Sequence, residues 1–248
     1  MSTQPVWDSR AHELELARGV QQRMVPAGPL HGRAAELAFR FRPAAEIGGD
    51  FLDFFWLDQQ QLVLYLGDVA GKGLAAVLYG ALVAGTLRGF HKSGVSPPAL
   101  LELLNQRLRI RPFPGHYCAV QYAVFNASSG DIRYVSAGLP PPLHITATDC
   151  FPLDGGGLPP ALFDGSRYEV FKAQLAPGDA VLFATDGLTD ARNAKREMFG
   201  MEELIKVCAR HGKESAETLL GLIFEVLDTF VAGAPQHDDI TAAILKIA

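Results

Sequence analysis

One stretch restricts the fold more than any other: Leu62-Val63-Leu64-Tyr65-Leu66-Gly67-Asp68-Val69-Ala70-Gly71-Lys72-Gly73. Its apolar run has the length and composition of a buried strand. The run ends on one carboxylate, Asp68, and turns through Gly71 and Gly73 into a second apolar segment, Leu74 to Phe90, that predicts a helix. A charge is costly to bury unless it is paired or binds a metal. Asp68 is therefore either a cap for the following helix or a ligand for a cation. The stretch by itself favours the cap; the company Asp68 keeps changes the balance.

Asp50 is the first of that company. The segment Ile47-Gly48-Gly49-Asp50-Phe51-Leu52-Asp53-Phe54-Phe55-Trp56 reads as glycines followed by an aromatic strand, and Gln59-Gln60 as a turn into the Asp68 strand. Two strands joined by a short polar loop form an antiparallel hairpin. The hairpin folds Asp50, at the start of one strand, onto Asp68, at the end of the other. Two further acidic sites share this context: Thr185-Asp186-Gly187 ends a strand near Ala180 to Ala184, and His237-Asp238-Asp239 opens the last strand. Singly, each is a cap or turn residue. Together, four carboxylates repel. Two unit charges 4 Å apart cost about 1 kcal/mol in water and about 4 at an effective dielectric of 20. No Arg or Lys cluster sits beside all four motifs, so hard divalent cations with oxygen ligands are the natural neutralising partners. Two such ions, about 3.5–4 Å apart, are a recognised device for activating a water toward phosphorus.

The rest of the chain supplies an α+β frame. Trp7 to Met24 has helical spacing of Ala11, Leu14, Ala17, Val20 or Gln21, and Met24, started by Asp8 and Ser9 and stopped by Pro26 and Gly28. It is either packed on the domain or a short pairing helix. Ser96 and Pro97 open a further helix, and Met201 to Ala209 and Ala216 to Phe230 predict two more. Strands are predicted at Leu37 to Phe41, Cys118 to Phe125, Ile132 to Ser136, Leu143 to Thr146, Tyr168 to Phe171 and Ile240 to Ile247. Antiparallel pairs with a few long helices between them suggest stacked sheets covered by helices.

Composition narrows the function. The net charge of −5 over 248 residues argues against a nucleic-acid surface. Cys118, Cys150 and Cys208 are scattered, with no metal-binding spacing, and suit reduced thiols in a cytoplasmic protein. The N-terminus carries no signal-like run. Leu74 to Phe90 falls short of the roughly 20 apolar residues a membrane span needs, and its small residues suggest a buried helix packed closely on a sheet.

In order and spacing, Ile47-Gly48-Gly49-Asp50-Phe51, Gly67-Asp68-Val69-Ala70-Gly71-Lys72-Gly73, Thr185-Asp186-Gly187 and Asp238-Asp239-Ile240-Thr241 resemble the four metal-site motifs of PPM-type protein phosphatases. The resemblance is to the bacterial SpoIIE/RsbU-like branch, distantly related to protein phosphatase 2C, and runs from about Glu13 to the C-terminus. It implies an α-β-β-α sandwich of two antiparallel sheets flanked by helices, with an N-terminal regulatory or linker helix over residues 1–28 and the phosphatase domain over 29–248. It implies two manganese or magnesium ions: Asp68 bridging both, the Val69 carbonyl and Asp50 serving one, Asp186 and Asp238 the other. A water activated by the two metals then hydrolyses phosphoserine or phosphothreonine. The substrates implied are phosphorylated anti-anti-sigma (STAS) proteins, in partner-switching control of sigma factors, and a homodimer through the N-terminal helix is compatible with it. The branch has His where this chain has Lys72, and often where it has Leu139, so a histidine general acid does not carry over. Lys72, and Arg40 and Arg42 before the first motif, are either phosphate contacts or solvated side chains. The branch commonly carries a sensor or receiver domain upstream, so a chain starting near the helix reads as a free-standing phosphatase or a domain of a longer protein. Two other readings stay open: a non-catalytic phosphoprotein-binding module, and a hydrolase of small phosphoesters.

Overall fold

The computed structural model describes residues 6–32, 34–90 and 94–248, the first five of these in backbone only. The elements run in order as helix α1 (Val6–Met24), strands β1 (Leu30–His31), β2 (Ala35–Arg42), β3 (Phe51–Trp56) and β4 (Gln61–Val69), and helices α2 (Leu74–Phe90) and α3 (Pro97–Arg109). Then come strands β5 (Cys118–Asn126), β6 (Asp131–Ala137), β7 (Leu143–Ile145), β8 (Cys150–Pro152), β9 (Phe171–Gln174) and β10 (Ala180–Ala184), helices α4 (Gly200–Arg210) and α5 (Ala216–Val231), and strand β11 (Ile240–Ile247).

The strands form two antiparallel sheets. One has the order β1-β2-β11-β10-β7-β8, the other β3-β4-β5-β6-β9. Strand alternation assigns each face. On β4, Leu62, Leu64 and Leu66 point between the sheets, where they meet Leu37, Phe183 and Leu245. Val63 and Tyr65 point the other way, onto Val83 and Leu87 of α2 and Leu101 and Leu104 of α3. A third core lies outside the other sheet, where Ala242 and Ile244 meet Leu204 of α4 and Leu219, Ile223 and Leu227 of α5. The layers are therefore helix, sheet, sheet, helix. Each fully buried leucine contributes roughly 1.5–3 kcal/mol, so the three cores hold the layers in fixed contact.

Several expectations change in detail. Helix α2 has the expected bounds, yet only one face is buried; Leu74, Leu78 and Leu82 are exposed on the other. On α1 the side chain buried against the domain is Gln21, whereas Leu16, Val20 and Met24 face outward. The start signal expected at Asp8 and Ser9 lies outside the described side chains. The strand expected from Tyr168 begins at Phe171; Tyr168 instead packs in the core over α3. Strands β9 and β10, on either side of Pro177-Gly178-Asp179, belong to different sheets. The three cysteines are buried and free. Among the described residues, no helix is long and apolar enough to cross a membrane.

Candidate metal centre

Asp50 and Asp68 meet because of the β3–β4 register. Phe51 pairs with Gly67, which sets Asp50 across from Asp68. Both share the parity of Leu52, Leu64 and Leu66, so both lie on the face between the sheets. Asp53 has the opposite parity and a different fate: it pairs with Arg88 and accepts from the Tyr65 hydroxyl at 3.1 Å. Asp50 is as buried as the core, at 3% exposed, and its carboxylate accepts from the Thr185 hydroxyl at 2.9 Å. Thr185 stands just beyond β10 in the other sheet. The Val69 carbonyl lies beside this loop: a methyl group added to Gly49 would sit 3.2 Å from it.

The second sheet brings Asp186, Asp238 and Asp239. The β10 end and the start of β11 are pressed together at Gly187, where a Cβ would fall 1.9 Å from the Asp239 carbonyl oxygen. No other residue fits there. Asp239 then reaches across to the first sheet. Its carboxylate accepts from the backbone N–H groups of Ala44 at 2.8 Å, Gly49 at 2.6 Å and Asp50 at 3.4 Å. Asp238, one residue earlier, lines an open cavity at the rim together with Gly187. The two adjacent aspartates thus have separate surroundings: Asp239 fastens the Gly49–Asp50 backbone, and Asp238 faces the open side.

The electrostatics agree with a site short of positive charge. Burial, then Asp68, pushes the Asp50 carboxyl well above the usual carboxylate range. Asp68 is pushed up to about 6, by burial first and then by Asp186 and Asp238. Asp186 is raised by burial, Asp190 and Asp238. Among the described residues, no ion pair reaches any of Asp50, Asp68, Asp186 and Asp238. Nor do any three acidic, histidine or cysteine side chains close into a ready-made cage. The donors present fit hard divalent cations: oxygen atoms only, two of the carboxylates drawn into the protein, and no basic partner.

Sequence reasoning left Asp239 open beside Asp238 and missed three participants, Thr185, Asp190 and Gln21. Thr185 and Asp239 sit one residue from predicted ligands, and strand parity at β10 and β11 was the available signal. Asp190 follows Asp186 by four residues and bears on it electrostatically. Gln21 was visible as a polar residue within the apolar spacing of α1. Its amide donates to the Gly48 carbonyl at 2.6 Å and accepts from the Gly48 N–H at 3.2 Å. Arg42, Lys72, Arg192 and Arg196 converge on the cavity beside Asp238, although none of them pairs with the four carboxylates. Arg42 is held by Asp228 at 2.6 and 3.1 Å, and Lys72 donates to the His237 carbonyl. Arg40 is exposed on β2.

Two stacked antiparallel sheets between helix layers, with acidic residues gathered at one end of the sandwich, make up a PP2C-like fold. Residues 58–248 match the stage II sporulation protein E (SpoIIE) family, and the chain belongs to it. The chain is 25% identical over 236 residues to phosphoserine phosphatase RsbU of Bacillus subtilis, covering 94% of this chain and 70% of that protein. It is 25% identical over 257 residues to protein IcfG of Synechocystis sp., covering 92% of this chain and 40% of IcfG. The chain therefore spans well under half of IcfG. The SiaA-PP2C domain of Pseudomonas aeruginosa superposes with a TM-score of 0.86 at 18% identity, over 98% of each chain, a likeness of fold.

Proposed function

We propose that this chain is a metal-dependent protein serine/threonine phosphatase that hydrolyses phosphoserine or phosphothreonine on an anti-anti-sigma STAS protein. The observation that carries the reading is that Asp68 from one sheet and Asp186 and Asp238 from the other bear on one another electrostatically, with Asp50 beside Asp68 and no ion pair to any of the four among the described residues. Asp68, Asp50 and the Val69 carbonyl would hold one manganese or magnesium ion, and Asp68, Asp186 and Asp238 a second. Such ions supply Lewis-acid activation of water and neutralise phosphoryl charge. The chain's own residues do the positioning. Thr185 fixes the Asp50 carboxylate, and Asp239 fixes the backbone of the Asp50 loop. Likeness to a phosphoserine phosphatase supports the substrate class.

Residues 1–28 form a regulatory helix on this reading, and 29–248 the catalytic domain. The bond pair between Gln21 and Gly48 supports it, since it joins α1 to the loop that carries Asp50. The outward stripe of Leu16, Val20 and Met24 is compatible with a homodimer through α1. The test is manganese-dependent phosphate release from a phosphorylated STAS protein, compared with p-nitrophenyl phosphate. Release from the protein that stops in EDTA supports the proposal. Release from the small ester alone would move it to small phosphoesters.

A further inference from the structure

The cavity beside Asp238 has chemistry that phosphoryl hydrolysis does not require. It measures about 430 Å³, within the rough range of 300–1,000 Å³ for ligand sites and too large for a phosphoryl group alone. Its floor is apolar, made by Leu227 and Val231 of α5 and by Ile240. Its polar lining has four basic side chains, Arg42, Lys72, Arg192 and Arg196, against two acidic ones, Asp190 and Asp238. The Arg42 guanidinium is fixed by Asp228 and by the Phe224 ring, 4.8 Å beneath it. Lys72 is tied to the loop that carries Asp238.

Arg192 and Arg196 differ. They line the same cavity, and among the described residues neither guanidinium has an ion pair or side-chain hydrogen bond. They project from a stiff turn. Asn193 accepts from the N–H groups of Lys195 at 2.9 Å and Glu197 at 3.1 Å, and Arg192 bridges Met198 through the backbone. Two guanidinium groups carried on one ordered turn and without a partner are suited to a carboxylate, which such groups bind bidentately. Asp238 and Gly187 line the cavity, so it adjoins the carboxylates and lies within reach of residues that flank a phosphorylated side chain bound there.

We propose that this cavity is a specificity site: Arg192 and Arg196 hold the carboxylate of an acidic side chain flanking the phosphorylated residue, while adjoining apolar atoms lie on Leu227 and Val231. The inference rests on the phosphatase reading and narrows its substrate class to proteins with acidic residues next to the phosphorylation site.

The test uses two phosphoserine peptides that differ only in carrying Glu or Gln on both sides of the phosphoserine. kcat/KM for each is measured at saturating manganese for the wild type, for Arg192→Ala/Arg196→Ala and for Arg192→Glu/Arg196→Glu. The readout is the Glu-to-Gln ratio within one enzyme, so a general loss of activity does not enter. Charge-assisted contacts of this kind predict a wild-type ratio of roughly tenfold, expressed in KM. The ratio falls to about one in the alanine variant and inverts in the glutamate variant. A wild-type ratio near one, or an alanine variant that keeps the preference, overturns the proposal. If circular dichroism shows a double variant misfolded, the single variants Arg192→Ala and Arg196→Ala are scored by the same ratio. If the wild type cleaves neither peptide nor p-nitrophenyl phosphate, the phosphatase reading fails and fluorescence anisotropy of the labelled peptides decides the cavity separately. Salt-sensitive preference for the Glu peptide that is lost in the alanine variant upholds it; equal binding overturns it.

Discussion

The Thr185 hydroxyl donates to the Asp50 carboxylate at 2.9 Å, a bond between side chains of opposite sheets. The same oxygen accepts from the Thr241 N–H at 3.0 Å. One small hydroxyl thus joins β10, β11 and the Asp50 loop. Thr185→Val keeps the volume and removes both bonds. It should leave a buried N–H unsatisfied, lower stability by about 1–3 kcal/mol and weaken manganese binding by roughly 10–100-fold. Calorimetric titration and thermal melts check this, and Thr185→Ser should restore most of both. Wild-type manganese affinity in the valine variant would separate Thr185 from the site.

The neighbouring aspartates give a second test. Asp238→Asn removes a charged donor facing the open side and should cost orders of magnitude in turnover at saturating manganese. Asp239→Asn acts through the backbone. Its two carboxylate oxygens together accept three N–H groups; an amide turns one oxygen into a donor and sets it against another donor. The expected loss is about 10–100-fold in metal affinity, with a lower melting temperature as well. Asp239→Asn behaving as the wild type, beside an equally active Asp238→Asn, would show that neither residue serves the site.

Asp68 fixes a pH dependence. Its folded value of about 6 stands above the roughly 3.9 of an unfolded aspartate. The folded state therefore holds this proton more tightly, and the stability it contributes is full below about pH 3.9 and lost as pH rises through 6. Asp50 and Asp186 shift in the same direction. In EDTA, the melting temperature should fall between pH 5 and 7.5. Asp68→Asn should flatten that slope and melt above the wild type at pH 7.5 while losing activity. Millimolar manganese should raise the wild-type melt by several degrees, since a hundredfold excess over Kd adds about 2.7 kcal/mol. A metal-free wild type that grows more stable across the same range contradicts the site.

Gln21 tests the regulatory helix. Gln21→Ala severs both bonds to Gly48 while leaving every proposed ligand in place. The manganese requirement should persist, and the activity at limiting manganese should change several-fold. Loss of manganese binding in the folded variant would instead make α1 part of the metal site.

Much of this was legible in the chain. The hairpin logic that brings Asp50 to Asp68 needs only a polar turn between two apolar runs, and the observed register reproduces it. Ser96 and Pro97 mark the start of α3 through local chemistry, and Ser96 accepts from the Ala99 N–H as a cap should. What escaped depends on tertiary approach. Arg42, Lys72, Arg192 and Arg196 come from four separate segments, and no spacing rule connects them. The outer stripe of α2 was hidden because its Leu74, Leu78 and Leu82 are as apolar as the buried Val83 and Leu87. The separate role of Asp239 beside Asp238 could not be assigned from sequence because its three backbone partners lie some 190 residues away.

Strand β11 is buried at all eight positions, with Ile240, Ala242 and Ile244 on one side and Ala243, Leu245 and Ile247 on the other. Both faces are apolar, so hydrophobic alternation hardly distinguishes one register from the next. The alignment is held instead at the two ends: by Asp239 on the first-sheet amides, and by the Lys246 ammonium, which donates to the Gly178 and Gly212 carbonyls at 3.0 and 2.8 Å. A slip of one residue would keep most positions apolar, but it would turn Lys246 into the core between the sheets and exchange Asp238 for Asp239 at the carboxylate cluster. Lys246, at the far end of the strand from the cluster, therefore acts as a proofreader of which aspartate arrives there.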